Sequence, residues 1–144
     1  MNSKTLPDTI RTIIAQAGGH SLRGAFVYIG AYDYSYRCAE LHGEYRSGRP
    51  SRLVIDHGRG YVDYEVGLQC QVNGKRGRAW TLIITYEPDD TYTVWLIEGR
   101  GERSAESMVL ARVEDVYCDT LQSVIESVYD RAIQEHNDGF IPLS

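Results

Sequence analysis

The chain has 144 residues and a mass of 16.3 kDa, enough for one compact domain burying about two thirds of its extended surface and too little for two. Hydrophobic residues make up 42% and charged residues 24%, which excludes intrinsic disorder, collagen and a coiled coil. Twenty acids against fifteen bases give a net charge of −5 and a pI near 5.3, so the surface as a whole does not attract nucleic acid or anionic lipid.

The first periodicity is Leu6, Ile10, Ile13, Ile14 and Ala17, which lines one face of a helix. Thr5 or Pro7-Asp8 starts it, and Gly18-Gly19 stops it, because glycine accepts the left-handed conformation that follows a helix C-terminus.

From residue 23 to 113 the texture changes to short runs rich in Val, Ile, Thr and Tyr, broken by Gly, Pro and Asp. Seven runs read as strands: 23–30, 34–44, 52–56, 61–72, 79–87, 91–98 and 107–113. Their short connections, such as Pro88-Asp89-Asp90, predict hairpins between neighbours and hence an up-and-down meander.

The last element is a helix over 120–136 with the apolar stripe Leu121, Val124, Ile125, Val128, Ala132 and Ile133. Asp119-Thr120-Leu121-Gln122 supplies the start and Asn137-Asp138-Gly139 the stop, leaving Phe140-Ile141-Pro142-Leu143 as an apolar tail. A helix from Ser104 is the alternative, since Val109, Val113, Val116 and Tyr117 also fit helical spacing; strand then helix is preferred because Asp119 is the better start signal. The expected fold is α+β over 1–144 as a single domain: an N-terminal helix, an antiparallel meander of six to seven strands, and a long C-terminal helix packed on one sheet face.

A meander places alternate connections at the same end of the sheet. Connections 46–52, 73–78 and 99–106 would then gather Arg46, Arg49, Arg52, Lys75, Arg76, Arg78, Arg100 and Arg103 against Glu102 and Glu106. That predicts a cationic pole of arginines suited to phosphate or carboxylate. The other connections, near Asp33, His57 and Asp89-Asp90, are neutral or acidic, and from Glu114 onward seven acids face one base, Arg131.

Eleven tyrosines against two phenylalanines is an unusual split, and Tyr32, Tyr34 and Tyr36 fall on one strand face at period two. An exposed ladder of that kind suits a protein interface, while half-buried cross-strand pairs are the structural alternative. The binding residues expected from sequence are therefore Tyr32, Tyr34, Tyr36, Arg49, Arg76, Arg78, Arg100 and Arg103.

Cys38, Cys70 and Cys118 are odd in number and show no CxxC pairing, which argues against a disulfide scaffold or zinc ribbon and for a reducing cytoplasm. His20, His42, His57 and His136 show no metal-ligand spacing, and no glycine pair sits in a phosphate-loop frame, so neither metal nor cofactor is expected. No leader is read in 1–8, and the longest aliphatic or aromatic run, Val94-Trp95-Leu96-Ile97, is too short to span a membrane. One nucleophilic constellation can be drawn, Cys118 before the final helix with His57 and Asp33 at the same sheet end; a non-enzyme is the preferred reading.

The hairpin Trp80-Thr81-Leu82-Ile83-Ile84-Thr85-Tyr86-Glu87-Pro88-Asp89-Asp90-Thr91-Tyr92-Thr93-Val94-Trp95 is similar to one found in immunity proteins of bacterial polymorphic toxin systems. The order of one helix, several strands and a long C-terminal helix also resembles secretion-chaperone-like folds and the helix-grip lipid-binding fold. Negative charge, the tyrosine excess and the absence of catalytic motifs favour a cytoplasmic, non-enzymatic immunity or inhibitor module that binds another protein such as a basic toxin or nuclease, with nucleic acid a lesser alternative at the Arg-rich end and a secretion-chaperone-like protein a further one. The runner-up is a ligand-binding domain whose pocket, between sheet and C-terminal helix, is lined by Val124, Val128, Trp80 and Trp95.

Overall fold

The computed structural model describes residues 6–19, 23–38, 41–45, 66–74, 78–98 and 109–140. Among them, helix α1 (Asp8–Gln16) and the short α2 (Ala25–Tyr28) precede strands β1 (Tyr32–Cys38), β2 (Leu41–Tyr45), β3 (Val66–Asn73), β4 (Ala79–Tyr86), β5 (Tyr92–Glu98) and β6 (Val109–Val116), and helix α3 (Leu121–Phe140) closes the series. The fold is α+β: one open antiparallel sheet with the helices packed on one face.

The predicted strand 23–30 is instead α2 and its flanking turns, because Gly24 and Gly30 bracket an Ala-Phe-Val-Tyr turn whose Ala25 and Phe26 enter the core. The run 34–44 divides into the hairpin β1–β2, and 52–56 lies outside the described residues. Helix α3 continues through Asn137-Asp138-Gly139 rather than stopping there. Gly139 is its penultimate residue, so the helix ends four residues beyond the expected His136.

Strand order is β2-β1-β3-β4-β5-β6, so the sheet is a meander only from β3 onward. The first hairpin is reversed, with β1 and not β2 beside β3. β1 has the composition of an inner strand, since consecutive residues Tyr34, Ser35 and Tyr36 are buried on alternate faces. The register fixes two ends. Tyr86, Tyr92 and Val116 stand at one, here the turn end; Asn73, Ala79, Glu98 and Val109 stand at the other, the far end.

The helix-bearing face carries Tyr36, Leu68, Ile84, Val94 and Val113 in one row and Cys70, Leu82, Leu96 and Ala111 in the next. The α1 stripe expected from sequence, Leu6, Ile10, Ile13, Ile14 and Ala17, is buried against this face together with Leu121, Ile125, Val128 and Ala132 of α3. Helix α3 runs from the turn end to the far end. There the Tyr129 hydroxyl donates to the Asn73 carbonyl at 2.8 Å, and the Tyr28 hydroxyl of α2 donates to the Asp130 carboxylate at 2.8 Å. That bond to an anion raises the Tyr28 pKa, since it holds the phenol proton in place.

The opposite face is more polar and also buried: Ser35, Gln69, Gln71, Thr81, Ile83, Thr85, Thr93, Trp95 and Ile97 are each at most 5% exposed. Gln71 Nε2 donates to Thr81 Oγ1 at 3.2 Å, and Trp95 Nε1 to Thr85 Oγ1 at 3.3 Å, which satisfies part of this polar layer.

Candidate functional site

The turn between β4 and β5 is shaped by its own side chains. Pro88 presets its first corner, Asp90 takes a left-handed φ of 70°, and Glu87 N donates to Thr91 O at 2.9 Å. Asp89 Oδ1 accepts from the Thr91 hydroxyl at 2.6 Å and the Thr91 amide at 3.3 Å, an Asx turn. Thr85 Oγ1 donates to Glu87 Oε2 at 2.8 Å, and the Tyr86 hydroxyl donates to Asp90 Oδ1. Each carboxylate of the turn is thereby oriented, and the Tyr86 pKa is raised chiefly by its bond to Asp90.

The end of β6 faces this turn. Its register shifts between Val94↔Val113 and Tyr92↔Val116, an extra residue is accommodated, and Asp115 takes a φ of 57°. Just before the bulge Arg112 lies over the Trp95 ring, 5.0 Å from its centroid, and pairs with Glu114. Glu87, Pro88, Asp89, Thr91, Thr93, Trp95, Arg112, Glu114 and Asp115 together line a cleft of about 460 Å³. Four carboxylates and one guanidinium give it a net negative charge, with an aromatic floor. Among the described residues no group of three or more His, Cys, Asp or Glu side chains could hold a metal ion.

A second concavity of about 560 Å³ lies on the helix-bearing side at the sheet edge, between β6 and α3. Its floor is Leu110, Ala111, Val113, Val124, Val128 and Ala132; Arg112, Ser123, Ser127, Arg131 and Glu135 complete it.

The residues singled out from sequence are distributed differently. Tyr34 and Tyr36 are 6% and 5% exposed, so they are core side chains and not an open ladder. Tyr32 is not on their face: Tyr32 pairs with Gln71 and Ser35 with Gln69, so two residues of β1 oppose one of β3. Asp33, at φ 52°, is the bulged residue that turns Tyr32 to the polar side. Arg78 is exposed at the far end, 3.8 Å from Glu98, while Arg49, Arg76, Arg100 and Arg103, like Arg46, Arg52 and Lys75, lie outside the described residues.

Cys118 and Asp33 are not neighbours. Cys118 follows Val116 at the turn end, whereas Asp33 sits near the Gln71–Val109 row, roughly 20 Å away along the strands. His57 lies outside the described residues. The pocket anticipated between sheet and helix is also rearranged. Trp80 and Trp95 are on opposite faces, the space beneath α3 is filled by Leu82, Leu96 and Ile125, and Val124 and Val128 line the edge groove with β6 instead.

Sequence reading missed the cleft because its carboxylates come from two stretches 25 or more residues apart, read separately as a turn and as an acidic tail. The signal that joins them is the length of β6. Extended to Val116, it pairs with Tyr92 and brings Glu114 and Asp115 beside the Pro88-Asp89-Asp90 turn.

Among known proteins, no family model, no curated protein and no solved structure matches the chain.

Proposed function

We propose that this chain is a cytoplasmic, non-enzymatic protein-binding module of the bacterial immunity or inhibitor type, which neutralises a basic partner such as a toxin by covering its cationic surface with the acidic cleft. The observation that carries the reading is the convergence of Glu87, Asp89, Glu114 and Asp115 around Trp95, with their orientations set by the turn and the β6 bulge. Preorganised charge of one sign steers an oppositely charged partner and penalises wrong ones, and an aromatic floor supplies contact area at little entropy loss. Three free cysteines agree with a reducing compartment, and among the described residues no helix is long and apolar enough to cross a membrane.

The test takes as titrant any basic protein encoded by a gene adjoining this chain's, with Trp80→Phe as background so that Trp95 is this chain's one tryptophan reporter; the absence of a basic protein among the adjoining genes counts against the reading. Glu87→Gln with Asp89→Asn and Asp115→Asn is expected to weaken binding at least tenfold, about 1.4 kcal/mol, mainly through slower association at low salt. An unchanged affinity in that triple variant, or binding insensitive to salt, overturns the reading.

A further inference from the structure

We propose that the groove between β6 and α3 is a binding site for a medium-chain monocarboxylate, its alkyl chain lying on Leu110, Val113, Val124 and Val128 and its carboxylate held by Arg131.

The groove has the size of a small-molecule cleft, about 560 Å³, with an apolar floor and a rim of two arginines, two serines and a glutamate. It follows α3 from Ser123 to Glu135, three turns or roughly 18 Å, a long shape that fits a chain better than a ring. Its polar groups are unequal. The Ser123 hydroxyl already donates to the Thr120 carbonyl at 3.0 Å, and Arg112 is held by Glu114 and the Trp95 ring. Arg131 forms no ion pair with any described residue, Glu135 one turn further on included, so its guanidinium is the available anion-binding group. Glu135 in the same lining limits the charge that can be accommodated, which favours a single negative charge over a phosphate dianion.

A strand from another protein is the occupant that the fold resists. β6 is an edge strand, but it carries two register shifts, between Val94↔Val113 and Tyr92↔Val116 and between Leu96↔Ala111 and Ile97↔Val109. Bulges of that kind break the regular ladder an added strand needs. The groove floor is open to a ligand that requires no backbone pairing.

The experiment titrates the full chain with sodium decanoate below its micelle-forming concentration, by calorimetry and by amide NMR. Saturable binding is expected, with shifts centred on residues 110–113 and 123–135. Each methylene removed from the chain should weaken binding about fourfold, which corresponds to ~0.8 kcal/mol per buried CH₂. Arg131→Gln should weaken decanoate at least tenfold and leave 1-decanol unchanged, and Ser127→Trp, at an exposed position of the lining, should abolish both. No localised shifts with millimolar decanoate, equal affinity of the wild type for decanoate and decanol, or an Arg131→Gln variant that binds decanoate normally would each overturn the proposal. Tighter binding of decyl phosphate than of decanoate would overturn it as well. The variants lie on α3 and leave the acidic cleft's carboxylates in place, so this site and the protein-binding reading stand or fall separately.

Discussion

Asp33 decides where a whole tyrosine goes. Its left-handed φ of 52° inserts one residue into β1, and the inserted residue turns Tyr32 away from Tyr34 and Tyr36. Left-handed backbone is accessible to Gly, Asn and Asp and strained for a β-branched residue. Asp33→Gly is therefore expected to leave the urea midpoint nearly unchanged, and Asp33→Val to lower stability by about 1–2 kcal/mol. Nothing in the alternating pattern Tyr32-Asp33-Tyr34-Ser35-Tyr36 marks the bulge, because a period-two reading presumes an unbroken ladder; only the αL tolerance of Asp hints at it. Tyr92 makes a different point. Its hydroxyl donates to Gln16 Oε1 of α1, and burial, with smaller contributions from Tyr86, Cys118 and Asp90, pushes its pKa up to about 12 from 10.0. A raised phenol pKa means that the folded state holds the proton more tightly than the unfolded chain. Its contribution is thus complete below pH 10 and declines as pH rises toward 12. Denaturation midpoints measured between pH 9 and 12 should fall for the wild type and fall less for Tyr92→Phe.

At the scale of elements, periodicity carries furthest where one face is wet and the other dry. The stripes of α1 and α3 could be read residue by residue, and Leu121, Ile125 and Ala132 are indeed buried, with Val124 and Ile133 half-buried at the margin. Ile125 is fully buried in the core, so Ile125→Ala should lower unfolding free energy by about 2–5 kcal/mol. Gln134→Ala, on the exposed side of the same helix, should change it by less than about 0.5 kcal/mol; urea unfolding followed by circular dichroism distinguishes them. The inner strands were recognisable from composition, since β4 and β5 have both faces buried and read as continuous apolar and Thr-rich runs. The short helix α2 was not. Four residues, Ala25–Tyr28, are too few to show a helical period, and Phe-Val-Tyr is strand-like in propensity.

For the molecule as a whole, the net charge of −5 conceals an uneven distribution. Glu87, Asp89, Asp90, Glu114, Asp115 and Asp119 meet at the turn end, with Arg112 already paired among them. The alternation of connections anticipated this acid only at Asp89-Asp90; the β6 contribution depends on long-range pairing that no local pattern encodes. The reversed first hairpin escaped for the same reason. A meander is the default when each strand is followed by a short turn, and β2–β3 departs from it across residues 46–65. That single departure also imposes a chronology. β3, β4 and β5 are joined to one another in series by short loops, so the β3–β4 and β4–β5 contacts close at small entropic penalty, whereas β1 must find β3 from across nearly thirty residues. The hairpin of β4 and β5 is accordingly expected to form first and β1 to join it late. Folding kinetics should show φ-values well above 0.5 for Leu82→Ala and Leu96→Ala and near zero for Tyr36→Ala, so that substitutions in β1 act mainly by hastening unfolding.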